Sequence, residues 1–171
     1  MKIRDILNRA HFISAILASV FLAAQLAIIS TNVIMRFFFA SGISWMEEIS
    51  SNVLMTAFTF LSMAIGVKLD LHINVNLFPR NTPEWVTTVL LKLKQLVLAV
   101  IGFVFLYYGI LLIIGIRGSI ASIPSLPAYL KFVLIPLAGV LILCDSVLSL
   151  FGADKDDEYL DRKFMSVGEK R

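Results

Sequence analysis

Residues 12–35 read FISAILASVFLAAQLAIISTNVIM, 24 consecutive residues without a charge. At 1.5 Å per residue a helix of that length extends about 36 Å, enough to cross a hydrocarbon core about 30 Å thick. Two further uncharged runs, 49–67 and 95–116, hold 19 and 22 residues, and a fourth, 132–153, is uncharged except for Asp145. The sequence therefore predicts an all-α membrane protein with four transmembrane helices, over about 12–35, 47–67, 93–116 and 132–152. Composition agrees, since 58% of the 171 residues are hydrophobic and 16% charged, against about 45–50% and 25% in soluble domains. Residues 1–153 form one four-helix domain. The stretch 154–171 is a charged tail, poor in packing residues and expected to be solvated.

Orientation follows from Lys and Arg, because acidic residues contribute little to the positive-inside bias. Three precede the first run, four lie between Lys68 and Lys94, and five lie in the tail; the two remaining connections hold only Arg36, Arg117 and Lys131. Both termini are expected in the cytoplasm, with 36–48 and 117–131 as short external connections. The first run is too long for a signal-peptide core and lacks a convincing cleavage site, so it is expected to be retained. Ahead of it, Ile3, Ile6, Leu7 and Ala10 recur at helical spacing, which suits a helix lying on the membrane surface; an unstructured basic leader is equally compatible. The connection KLDLHINVNLFPRNTPEW mixes apolar and polar residues, which suits an interfacial segment ending at Pro79.

The stretch SWMEEIS, 44–50, places two carboxylates at the mouth of the second span. There the positive end of the helix dipole favours them, and Arg36 lies at a comparable depth as an ion-pair partner. Glu47 and Glu48 diverge by about 100° around a helix, so they do not readily share one cation. Trp45 beside them reads as an interfacial anchor. Asp145 lies about 10 Å inside the cytoplasmic end of the fourth span. Lys92 and Lys94 enter at that level, so a charge pair is expected, or else a protonated Asp145 bonded to Gln25, Asn32 or Asn52. A proton relay needs several such groups along a path. His11 and His72 flank spans, which argues for surface contacts and against paired haem ligation.

Other chemistries find no residues to carry them. The single cysteine, Cys144, allows neither an internal disulfide nor a paired-thiol redox site and reads as a small packed hydrophobe. The net charge of +3 is not gathered into an aromatic-interleaved stripe, so nucleic-acid binding is not expected. No hydrolase, zinc-protease, phosphate-loop or dinucleotide motif is present. The chain is not expected to be an enzyme or to hold a metal or cofactor. Gly102 and Gly109 offer small positions where helix backbones can approach.

The order of Arg36 closing the first span, SWMEE opening the second, then Lys68, HINVNLF and Pro79, resembles the small membrane subunit, DctQ-like, of tripartite ATP-independent periplasmic (TRAP) transporters. The resemblance covers nearly the whole chain before the tail. It implies a non-catalytic scaffold in the bacterial inner membrane, packed against a large multi-span subunit that moves an organic acid, a sialic acid or a C4-dicarboxylate, with sodium ions bound in that partner. A periplasmic substrate-binding protein would dock on the pair. By position, Arg36, Trp45, Glu47, Glu48 and His72 match the family motif and are candidates, with Asp145, for structural or subunit-interface roles. Two departures, Asn76 at a position often acidic and Lys68 where arginine is frequent, weaken any particular salt bridge around His72. The rival reading is an autonomous four-helix, proton-coupled exporter of the small multidrug-resistance type, which needs an ionisable residue inside the first span; only Gln25 and Asn32 are strongly polar there. A membrane oxidoreductase lacks paired cysteines or facing histidines.

Overall fold

A computed structural model describes residues 2–69 and 84–151. The expected interfacial segment before Pro79 and the charged tail lie outside these residues.

Helix α1, Lys2–Phe39, is 38 residues long and extends about 57 Å. The surface helix expected at its start is instead its first turns. Of the stripe read from the sequence, Leu7 is buried and Ala10 half-buried while Ile6 is exposed; Leu7, Asn8 and His11 face the neighbouring helices. Ala15 and Ala18 continue that buried stripe. The helix stops at Ala40, which takes the left-handed conformation (φ 50°) that commonly closes a helix and is usually left to glycine.

The second span runs from Ser44 to Lys68 in three parts: α2, Ser44–Glu48, a π-helical stretch, Ile49–Leu54, and α3, Met55–Lys68. In the middle part the Met55 N–H bonds back to the Ser50 carbonyl. A π turn takes one more residue than an α turn, so it re-aims everything before it relative to α3. Helix α4, Glu84–Gly115, and helix α5, Leu134–Leu150, are the remaining spans. Between them two short antiparallel strands, β1 (Ser119–Ile120) and β2 (Ile123–Pro127), and a 3-10 turn, Ala128–Phe132, replace the plain loop that the sequence suggests. Pro136 sits in the first turn of α5, where its missing N–H has no intrahelical acceptor to lose.

The helices form a row. α1 packs on α3, α3 on α5, and α5 along α4, while α1 and α5 touch little. Within their most apolar stretches only 17% of residues are buried in the two outer helices, against 33% and 39% in the second and fourth spans. Helices apolar around their whole circumference but buried on one side belong in lipid or against another membrane protein. The core is a cluster to which every span contributes: Leu7, Ala64, Val67, Leu98, Ala138, Leu141 and Ile142.

Glycine sets the closest contact. A Cβ on Gly139 would lie 2.6 Å from the Leu106 amide nitrogen and 2.9 Å from the Gly102 carbonyl oxygen; one on Gly102 would lie 2.7 Å from the Leu143 nitrogen. The backbones of α4 and α5 thus touch at Gly102 and Gly139, the small-residue packing by which helices associate when lipid supplies no hydrophobic drive. Gly139→Ala is expected to force the pair apart at a cost of about 1–3 kcal/mol, read as a lower thermal midpoint of the detergent-solubilised chain. Gly115→Ala, where an added Cβ meets nothing within 4 Å, is expected to leave the midpoint unchanged.

Candidate functional site

At the end of the molecule opposite the β1–β2 hairpin, polar side chains from α1, α3 and α5 converge beyond the apolar core. Helical spacing places them. Asp145 follows Leu141 by one turn on α5, Lys68 ends α3 one turn beyond Ala64, and His11 follows Leu7 on α1. His11 Nε2 lies 2.8 Å from Asp145 Oδ2, although the approach is off the line of a hydrogen bond, and Lys68 Nζ lies 3.9 Å from Asp145 Oδ1. All three are almost completely buried: His11 is 0% exposed, Lys68 2% and Asp145 4%.

The other ring nitrogen of His11, Nδ1, is 2.9 Å from the Leu7 carbonyl oxygen. A carbonyl can only accept, so Nδ1 carries a proton in that contact. That contact turns Nε2 toward Asp145. One carboxyl group is thus shared between two nitrogen bases drawn from two other helices. Asn8, Lys94, Gln95 and Ser146 are also buried, on the same faces of α1, α4 and α5. No group of three or more metal-ligating side chains occurs among the described residues.

Of the two lysines expected near Asp145, Lys94 is buried on α4. Lys92 is exposed, and Asp145 is approached by Lys68 and by His11, which the sequence reading placed at the surface. The cause is the order of helices in the row, in which α5 sits beside α3. Asn32 is also elsewhere, accepting the Ile43 N–H at 2.9 Å near the hairpin end. A sequence signal for His11 did exist: it stands four residues after Leu7 and four before Ala15, on the buried stripe.

At the hairpin end Glu47 and Glu48 part company. Glu48 Oε2 accepts the Ser122 N–H at 2.9 Å, and Oε1 accepts Lys131 Nζ at 3.1 Å. This carboxylate therefore holds both the turn of the hairpin and the lead into α5. Its cation is Lys131 and not Arg36, because the helix aims Glu48 toward the α5 side. Glu47 and Arg36 instead line an open groove between α1 and the second span, with Ile29, Asn32, Val33, Met46 and Ser51. Trp45 is 39% exposed beside them. His72 lies outside the described residues.

Four apolar helices, with polar groups gathered at their two ends, define a multi-pass membrane protein. The model of the DctQ component of tripartite ATP-independent periplasmic transporters matches residues 25–155, and the chain belongs to that family. No curated protein matches it.

Two outcomes test these clusters. Asp145→Leu leaves the buried Lys68 uncompensated and is expected to cost about 3–5 kcal/mol, measured as thermal stability in micelles; combining it with Lys68→Met should recover part of that loss, as a double-mutant cycle reads directly. Glu48→Ala is expected to speed amide exchange at Ser122 and through the hairpin. Glu47→Ala, one residue away, should leave that exchange unchanged.

Proposed function

We propose that this chain is a non-catalytic scaffold: it holds the large transport subunit of a TRAP system and helps to form the surface on which the periplasmic substrate-binding protein docks. The observation that carries this reading is the row of helices, whose two outer members keep most of their apolar surface outside the fold. A partner with many spans would cover such faces. Between α1 and α4, over α5, a groove of about 710 Å³ lined by Ala10, Leu17, Leu106, Ile113 and Val140 offers a concave surface for a neighbouring helix.

The hairpin tied down by Glu48 supports the docking role, since a connection fixed by two bonds presents a stable shape to a soluble partner. In this reading the hairpin faces the periplasm and both termini the cytoplasm, in keeping with the distribution of Lys and Arg. The complex resides in the bacterial inner membrane and takes up an organic acid, of the sialic acid or C4-dicarboxylate class, with sodium ions bound in the large subunit. Asp145 does not suit a translocation path, because its charge is committed to Lys68 and His11 within a single layer.

Reconstitution tests the proposal. Liposomes holding this chain alone should accumulate no solute. Adding the large subunit should give a stable complex, and sodium-dependent uptake once the binding protein is supplied. Uptake by the chain alone would overturn the scaffold reading.

A further inference from the structure

The groove between α1 and the second span is built from two facing stripes. Ile29, Asn32, Val33 and Arg36 recur at helical spacing on α1, and Glu47 and Ser51 stand one turn apart opposite them. Its upper part is therefore charged and its lower part apolar. Ile29 is 41% and Val33 60% exposed, so the lower part opens toward hydrocarbon. Exposed Phe37, Phe38 and Phe39 follow Arg36 on α1, and exposed Trp45 stands two residues before Glu47, the aromatic composition of a membrane–water interface.

The walls are fixed. The Ile43 N–H bonds to Asn32 Oδ1 at 2.9 Å, which folds the connection back onto α1. Gly42 then lies beside Arg36: a Cβ there would stand 3.8 Å from Nε and 3.9 Å from Asn32 Oδ1. Arg36 and Glu47 line the same groove without forming an ion pair with each other. A cation and an anion held apart in one cleft call for a ligand that carries both charges.

We propose that this groove binds the headgroup of a zwitterionic phospholipid bearing a primary ammonium, with its phosphate on Arg36, its ammonium on Glu47 and Ser51, and an acyl chain along Val33 and Ile29. Guanidinium is matched to phosphate by its planar fork of donors. A carboxylate accepts hydrogen bonds from a primary ammonium, which a trimethylated one cannot donate. Glu47 also repels an anionic headgroup. At about 220 Å³ the cleft is smaller than the roughly 300 Å³ at which pockets for drug-sized ligands begin, which suits a small polar group whose tail stays outside. The proposal rests on this geometry and not on the transporter reading.

Native mass spectrometry of the purified full chain, with equimolar phosphatidylethanolamine, phosphatidylglycerol and phosphatidylcholine, tests it. Retention of the ethanolamine lipid should exceed that of either competitor about fivefold, the ratio equivalent to ~1 kcal/mol for one exposed charge pair. Arg36→Gln should lower retention of all three. Glu47→Lys should turn the preference toward phosphatidylglycerol, a gain that misfolding does not produce. Equal retention of the three lipids by the unaltered chain, or an ethanolamine preference that survives Glu47→Lys, would overturn the assignment. So would displacement of the lipid by the large subunit in the assembled complex, which would give the groove to protein.

Discussion

The neutralisation of Asp145 is the contact on which the arrangement of helices turns. A carboxylate in the fourth span, buried away from water, requires a compensating cation or proton, and any partner that supplies one is drawn to that point. Lys68 at the end of α3 and His11 on α1 both approach it. Since α1 and α5 otherwise touch little, the histidine ties the outermost helix to the far side of its neighbour. Apolar packing alone discriminates weakly between helix neighbours in lipid; a single buried charge discriminates strongly.

The two ends of the molecule handle charge differently. Near the chain termini it is internal, shared among groups from three helices and closed to solvent. At the hairpin end it is peripheral: Glu48 clamps a connection, while Arg36 and Glu47 face an open groove. The glycine contact between α4 and α5 complements this division. It locks one pair of helices through the backbone and leaves their outer surfaces apolar and available.

The four spans were legible from hydropathy and charge, and so was the scarcity of ionisable groups inside them. The adjacent carboxylates were also legible as a pair that diverges. Their partners were not, because Arg36 and Lys131 both border the same end and only the path of the 117–131 connection decides between them. The π-helical stretch left no mark in the sequence, since ISSNVL has no residue type reserved for that geometry. Likewise, a short hairpin within SIASIPSLP, 119–127, cannot be told from an irregular loop when its strands are so brief.

Hydrocarbon cannot hydrogen-bond a backbone, so four long apolar runs, one of them carrying Asp145, read as helices; that much the amino-acid order determined by itself. The same order shows where charge is tolerated. Which helix lies beside which belongs to the tertiary structure alone. Spans of nearly uniform apolarity carry no address for a neighbour until particular small residues and buried charges meet in space, as Gly102 meets Gly139 and Asp145 meets His11 and Lys68.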